Sequence, residues 1–259
     1  MGFVRVIPCL LLRGAGLVKT VRFREPTYVG DPRIALRIFN EREVDELVLL
    51  DIQATPSARG PDFRMLSELT DECFMPLAYG GGLRALEQVE MVLRLGVEKV
   101  VVNTRAVEES GFVTQTARHF GCQSVVVSID VERGLFGKYE VVARGGRLRT
   151  GLEPVAFARQ MEEAGAGELL LNSVDRDGTM QGYDLKLVQS VTSAVGIPVI
   201  ACGGAGSLPD LRAVTLGAGA SAAAAGSLFV FRGRHRAVLI NYPESSELRR
   251  LFGSPQPSK

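Results

Sequence analysis

A single (β/α)8 barrel built from two similar halves is the fold this sequence predicts. Eight short apolar runs alternate with longer segments whose apolar residues recur at helical spacing, the rhythm of βα units around a parallel sheet. The chain has 259 residues, close to the roughly 250 typical of such a barrel. Its second half also echoes its first.

The expected strands are residues 4–11, 47–51, 76–79, 99–102, 124–130, 168–172, 198–202 and 220–225. Their near-continuous hydrophobicity suits strands covered by helices outside and by packed side chains inside. PLAYGGG at 76–82 followed by LGVEKVVVNT recurs as PVIACGG at 198–204 followed by LGAGASAAAAGS. Likewise VDELVLLD at 44–51 echoes AGELLLNS at 166–173, and VIPCLLL at 6–12 echoes VVSIDVE at 126–132. Residues 13–32 read as a long loop after the first strand with room for a short hairpin, and loops of that length are usually functional covers. Residues 133–150 read as two short strands turning at Gly145-Gly146. One domain over residues 1–243 is expected, then a polar tail frayed from Glu244 to 259.

Composition narrows the function. Thirty Lys+Arg against 29 Asp+Glu give a net charge of +1, so no polyanion-binding field is implied and nucleic acid is not an expected partner. The apolar run at the N-terminus is broken by arginines and too short to span a membrane. Cys9, Cys73, Cys122 and Cys202 are scattered without CxxC spacing, which suits free thiols in a reducing cytoplasm. With only His119 and His235, a His-rich metal site is excluded and a Ser-His-Asp hydrolase disfavoured. His119 reads as an ordinary basic residue at a helix end. No metal and no cofactor are expected.

In a parallel barrel the chemistry comes from the loops that follow the strands. Strands three and four end in Gly80-Gly81-Gly82 and Asn103-Thr104; strands seven and eight end in Gly203-Gly204 and Gly226-Ser227. Each set can offer bare backbone N–H groups to an anion. Two sets at one mouth suggest a ligand carrying a phosphate at each end. Asp51, Asp130, Asp175 and Asp177 are the strand-end carboxylates, and Asp130, closing SVVVSID, is the strongest acid/base candidate. At the opposite strand ends Arg5, Glu46, Lys99 and Glu168 carry two charges of each sign; facing the axis they would form a neutral ion-pair plug.

These residues resemble the cyclase subunit of imidazole glycerol phosphate synthase. DELVLLDI, YGGG, VVNT, QSVVVSID, GAGELLLNSVDRDGT with GYD, and GGAGS occur in order over residues 3–232. The resemblance implies a barrel that takes ammonia from a separate glutaminase, docked at its bottom as a heterodimer, and delivers it to a bisphosphorylated substrate at the top. It places phosphate-binding groups at Gly82, Asn103, Thr104, Asp177, Gly178, Gly204, Gly226 and Ser227, the ammonia gate at Arg5, Glu46, Lys99 and Glu168, and a substrate-loop lysine at Lys19. Of two catalytic aspartates it keeps Asp130, but Leu11 stands in the place of the first, and leucine neither donates nor accepts a proton. IPCLLLRGAGLVKT and YVGDPRIALRIFNEREVDEL resemble a side branch associated with surface-polysaccharide enzymes, which adds a sugar amidotransferase as partner and an amidino sugar as product. Two alternatives stay open: a true histidine-pathway cyclase that uses Asp51 or Asp175 instead, and a noncatalytic scaffold barrel.

Overall fold

The computed structural model describes residues 4–134, 137–233 and 235–253. Its strands are β1 (Arg5–Arg13), β2 (Gly16–Val21), β3 (Arg24–Gly30), β4 (Leu47–Asp51), β5 (Leu77–Gly80), β6 (Lys99–Val102), β7 (Val125–Arg133), β8 (Tyr139–Ala143), β9 (Leu148–Arg149), β10 (Glu168–Ser173), β11 (Val199–Cys202), β12 (Ala222–Ala225), β13 (Phe231–Arg232) and β14 (Ala237–Val238). The helices are α1 (Pro32–Glu41), α2 (Phe63–Thr70), α3 (Leu86–Arg94), α4 (Thr104–Glu108), α5 (Gly111–Phe120), α6 (Pro154–Glu163), α7 (Leu185–Thr192), α8 (Leu208–Arg212), α9 (Ser227–Val230) and α10 (Ser245–Phe252). Strands β1, β4, β5, β6, β7, β10, β11 and β12 pair in that order, all parallel, and β12 returns to β1. The result is a closed eight-stranded (β/α)8 barrel, as the alternation predicts.

Alternation along each strand divides the core in two. Ile7, Cys9, Val48, Ala78, Val101, Val126, Leu170 and Ile200 fill the barrel. Their neighbours Val6, Leu10, Leu47, Leu49, Val100, Val127, Leu169 and Leu171 pack outward under the helices. Both faces are dry, which is why these strands read as unbroken apolar runs rather than alternating ones. Two of the helices show how the sequence starts them with an oxygen cap. Asp31 accepts from Arg33 N at 2.7 Å ahead of α1, and Glu153 accepts from Val155 N and Ala156 N ahead of α6, each followed by a proline at the first position. Arg144–Arg147 turn β8 into β9, with Gly145 and Gly146 at positive φ, so the expected hairpin forms.

Three expectations are corrected. Residues 13–32 are a β-ribbon with a two-residue Gly14-Ala15 turn and a second turn at Arg22-Phe23, whose φ values of 51° and 60° are left-handed without glycine. Strands β1 and β7 run on to Arg13 and Arg133, beyond their expected ends, because each continues into an antiparallel hairpin. The tail expected to fray from Glu244 instead forms α10, whose Leu248, Leu251 and Phe252 pack on the outer core and whose Leu251 carbonyl accepts from Arg212 Nη1 at 2.5 Å. Residues 254–259 lie outside the described residues. Among the described residues no helix is long and apolar enough to cross a membrane.

Candidate active site at the barrel mouth

The C-terminal ends of the strands enclose a cavity of about 680 Å³. Lys19, Gly82, Asn103, Thr104, Asp130, Asp177, Gly178, Gly204, Gly226 and Ser227 all line it, so residues scattered over 200 positions of sequence meet at one mouth. Asp51 lines it as well, whereas Asp175 does not; its Oδ2 accepts from Arg133 N at 2.8 Å. Arg5, Glu46, Lys99 and Glu168 sit at the far end of the barrel, away from this chamber.

Asp130 projects inward near the top of β7 and is 8% exposed. Burial pushes its carboxyl up to about 7, opposed by long hydrogen bonds to Oδ1 from Asn172 Nδ2 and Ser128 Oγ, each at 3.4 Å, and reinforced by the charge of Asp177. Such a group is split between acid and base at neutral pH, where proton transfer in both directions is most effective. Facing it from β1 is Leu11, which pairs with Leu50 of β4 and lines the same cavity. Also lining the cavity, the Cys202 thiol is held well above its ordinary range, first by the adjacent Cys9 thiol and then by burial, so Cys202 stays protonated. Leu11 therefore offers an apolar side chain where the opposite wall carries Asp130, the carboxyl that burial brings to about 7.

The ribbon β2–β3 folds across the mouth. Lys19, only 6% exposed, donates to Asp177 Oδ1 at 2.6 Å; Thr20 Oγ1 donates to Asp177 Oδ2 at 2.8 Å; Arg22 N donates to the Asp177 carbonyl at 2.9 Å. These bonds hold the Arg22-Phe23 turn in its left-handed conformation, which costs on the order of 1–3 kcal/mol per such residue. Asp177 N in turn donates to Ser173 O at 2.9 Å. Asp177 is thus the anchor of the cover, and its own polar groups are engaged within the protein. Gly178 has a packing reason of its own: a Cβ there would sit 2.2 Å from the Thr20 carbonyl of the ribbon.

The first glycine-rich set stands at β5 and β6. Asn103 Nδ2 donates to Ser128 O at 2.9 Å, and Thr104 Oγ1 accepts from Arg144 N at 3.1 Å, which ties the β8–β9 hairpin over this corner. The second set stands at β11 and β12, where Ser227, 4% exposed, opens α9 behind Gly226.

At the bottom, Arg5 binds Glu46 and Glu168, while Lys99 Nζ reaches Glu46 Oε1 at 2.9 Å and Glu168 Oε2 at 2.8 Å. The four side chains close a ring across the axis. Burial raises the Glu168 carboxyl, but hydrogen bonds and charge from Arg5 and Lys99 outweigh it and hold Glu168 below the usual carboxylate range. Arg5 is raised in return, the bonds and charges of Glu168 and Glu46 overcoming its burial.

The family described as "Histidine biosynthesis protein" matches residues 5–235. The chain belongs to this family. It is 52% identical over 244 residues to a Pseudomonas aeruginosa protein named "Putative imidazole glycerol phosphate synthase subunit hisF2", covering 94% of this chain and 97% of that one. It is 47% identical to a Leptospira interrogans protein named "Putative imidazole glycerol phosphate synthase subunit HisF", over 96% and 98% of the two chains. An Alkaliphilus metalliredigens protein named "Imidazole glycerol phosphate synthase subunit HisF" is 45% identical over 87% and 89%. The resemblance read from YGGG, QSVVVSID and GGAGS is therefore to the right family, and this is a HisF-like chain.

Three features of this HisF-like mouth escaped the sequence. Asn172 and Ser128 flank Asp130, and the Asn172 Oδ1 atom is buried without a partner. Asn172 lies opposite Asp130 in the β7–β10 register, a relation visible only once the two strands are aligned. Strand periodicity gives Ser128 directly, since it shares the inward face two residues before Asp130. Thr20 carried no signal, because it looks like any other residue of the ribbon.

Proposed function

We propose that this HisF-like chain is the synthase subunit of a glutamine amidotransferase complex, receiving ammonia at the barrel bottom and delivering it to a phosphorylated acceptor at the mouth. The observation that carries this reading is the separation of two devices in one barrel: a closed charged ring at the bottom and, at the top, Asp130, a buried carboxylate that no cation pairs among the described residues. Between them lies an apolar layer of Ile7, Val48, Ala78, Val101, Val126, Leu170 and Ile200. A dry layer of this kind admits neutral ammonia and rejects ammonium, because an ion loses its hydration there without a counter-charge. A glutaminase docked beneath the ring would close the path from bulk water. Phe74, 86% exposed on the loop before β5, stands at that end and suits a partner's apolar pocket.

At the mouth, Asp130 would move the proton and the two glycine-rich sets would hold phosphate groups on Gly82, Asn103 and Thr104 and on Gly204, Gly226 and Ser227. Leu11 sets the reaction apart from ordinary cyclase chemistry, which in the resembling family uses two aspartates. We therefore place the chain with the amidino-sugar side branch, acting in the cytoplasm with a sugar amidotransferase downstream. A true cyclase needs a second proton-transfer group. Asp51 is the one other strand-end carboxylate in the cavity not engaged by Lys19, and its Oδ1 already accepts from Gln53 N and Ala54 N at 2.9 and 3.0 Å. The test is the unmodified chain with the bisphosphorylated histidine-pathway intermediate and saturating ammonium salt. Little or no turnover is expected; roughly 1 s⁻¹ or faster would sink the side-branch reading. Co-purification with glutaminases of the same cell tests the partner, and Phe74→Ser should weaken that complex without altering the barrel.

A further inference from the structure

Nine residues beyond the second glycine-rich set, the chain places a cation beside it. After α9 the strands β13 and β14 form a hairpin in which Phe231 pairs with Val238 and Arg232 with Ala237. Leu239 N donates to Val230 O at 3.0 Å and Asn241 N to Phe229 O at 2.9 Å, so the returning arm is fixed against α9. Arg236 closes the turn that leads into that arm, its N donating to Gly233 O at 3.1 Å. Its guanidinium stacks 4.6 Å above the Phe231 ring, and its Nη2 stands 3.5 Å from Ser227 Oγ, at the outer limit of a hydrogen bond. Among the described residues no ion pair occupies Arg236, whereas Lys19 is held by Asp177 and Arg176 Nη1 donates to the Gln181 carbonyl at 3.2 Å.

We propose that Arg236 is the positioning cation of the Ser227 end of the mouth: it orients the Ser227 hydroxyl and supplies the positive charge for a phosphate monoester bound there. The inference rests on the reading that the glycine-rich sets hold phosphates. A hydroxyl has one proton and two acceptor positions. When the guanidinium donates to Ser227 Oγ, the hydroxyl proton is left to point into the cavity that Ser227 lines, where it can donate to an anion. An oxygen accepting that proton lies within two hydrogen-bond lengths of the guanidinium, which then strengthens the bond by its charge. Backbone N–H groups and one hydroxyl alone leave a phosphate's charge uncompensated. The hairpin supplies what the second set lacks.

The backbone supplies a clean variant. Arg236 has φ 51°, a left-handed value that disfavours side chains, and glycine would suit it better. The variant Arg236→Gly therefore removes the guanidinium while relaxing the hairpin, which separates binding from folding.

The experiment uses the full chain and inorganic phosphate as probe. Crystals of wild type, Arg236→Gly and Arg236→Lys are soaked in phosphate, and affinity is measured by titration calorimetry. The expected result is phosphate at both sets in wild type, loss of phosphate beside Ser227 but not beside Thr104 in R236G, and an affinity about tenfold weaker at the lost site. R236K should recover part of that affinity, since it restores the charge without the planar fork; a purely structural role would not be rescued in this way. Equal occupancy beside Ser227 in wild type and R236G overturns the inference and leaves the phosphate reading standing. Phosphate beside Thr104 alone in wild type also overturns it. Both sets empty in wild type overturns the phosphate reading and this inference with it.

Discussion

The two halves of the barrel place the same backbone at the mouth and dress it differently. At corresponding inward positions near the top, β1 and β4 present Leu11 and Leu50, while β7 and β10 present Asp130 and Asn172. One level down, Cys9 on β1 corresponds to Ser128 on β7. At the bottom the halves agree again, with Glu46 opposite Glu168 in the ring. A repeated scaffold thus carries a shared ion-pair ring below and different side chains at matching positions above. The difference teaches that the fold fixes where a side chain stands, and that a single residue per strand decides whether that place can move a proton.

The sharpest way to break the comparison is to make the halves alike by removing the polar member. Asp130→Asn keeps shape and loses the acid/base, so ammonia-dependent turnover should fall by about 10²–10⁴-fold. Activity measured on the proposed complex with a glutaminase and acceptor checks this; an Asp130→Asn variant that keeps wild-type turnover would move the chemistry elsewhere in the mouth.

The bottom ring, where the halves match, should respond alike to matched changes. Glu46 and Glu168 each bind Arg5 and Lys99, and both cations come from the first half. Breaking a buried ion pair costs about 3–5 kcal/mol, and less where the orphaned cations keep another carboxylate and some water, so Glu46→Gln and Glu168→Gln should each lose about 2–3 kcal/mol. Glu46, with 3% side-chain exposure against 11%, should lose the more. Urea unfolding of the two variants measures the pair, and a neutral result for both would mean that the ring is not holding the barrel together.

Leu11→Asp restores symmetry from the other side. It puts a second carboxylate into the chamber of Asp130, so like-charge repulsion should raise the Asp130 pKa further and make the variant less stable, by about 1–3 kcal/mol at alkaline pH and less at pH 5. If the rest of the pocket retains the family's geometry, some cyclase turnover on the bisphosphorylated histidine-pathway intermediate should appear with ammonium salt. A variant with unchanged stability at both pH values would show that Leu11 and Asp130 do not share one environment.

Much of this architecture is legible in the sequence. The eight strands followed from apolar run lengths, and the mouth residues from their places after those runs. What escaped did so for physical reasons. The β2–β3 turn at Arg22-Phe23 has no Asn-Gly or Asp-Gly pair, because tertiary bonds to Asp177 hold it rather than intrinsic turn preference. Helix α10 hid in a polar tail because its apolar Leu248, Leu251 and Phe252, although at helical spacing, mark only one turn among charged residues. The echo of 6–12 in 126–132 was also set one residue out. It aligned Leu10 with Asp130, yet Leu10 packs outward under the helices and Leu11 lines the mouth. In a strand a one-residue slip exchanges the two faces, so the alignment that respects burial is the one that pairs Leu11 with Asp130.

The smallest effect tests the comparison at its finest point, the Cys9–Ser128 level. Ser128 Oγ and Asn172 Nδ2 both donate to Asp130, and both favour its charged form against the burial that raises its pKa to about 7. Because the folded chain holds this proton well above the ordinary carboxylate range, it binds more protons than the unfolded chain between about pH 4 and pH 7. The corresponding stabilisation is full below pH 4 and is lost as pH rises through 7. Ser128→Ala removes one opposing bond, so the Asp130 pKa should rise by a few tenths of a unit and the upper edge of that window should move up with it. The bond is long, at 3.4 Å, which keeps the shift small. Stability measured by urea unfolding from pH 5 to pH 9 should show wild type falling to a plateau just above pH 7, Ser128→Ala reaching its plateau slightly later, and Asp130→Asn lacking this component of the slope. An Asp130→Asn variant with the same pH slope as wild type would mean that Asp130 titrates in its ordinary range, and the proton-transfer role assigned to it would lose its physical basis.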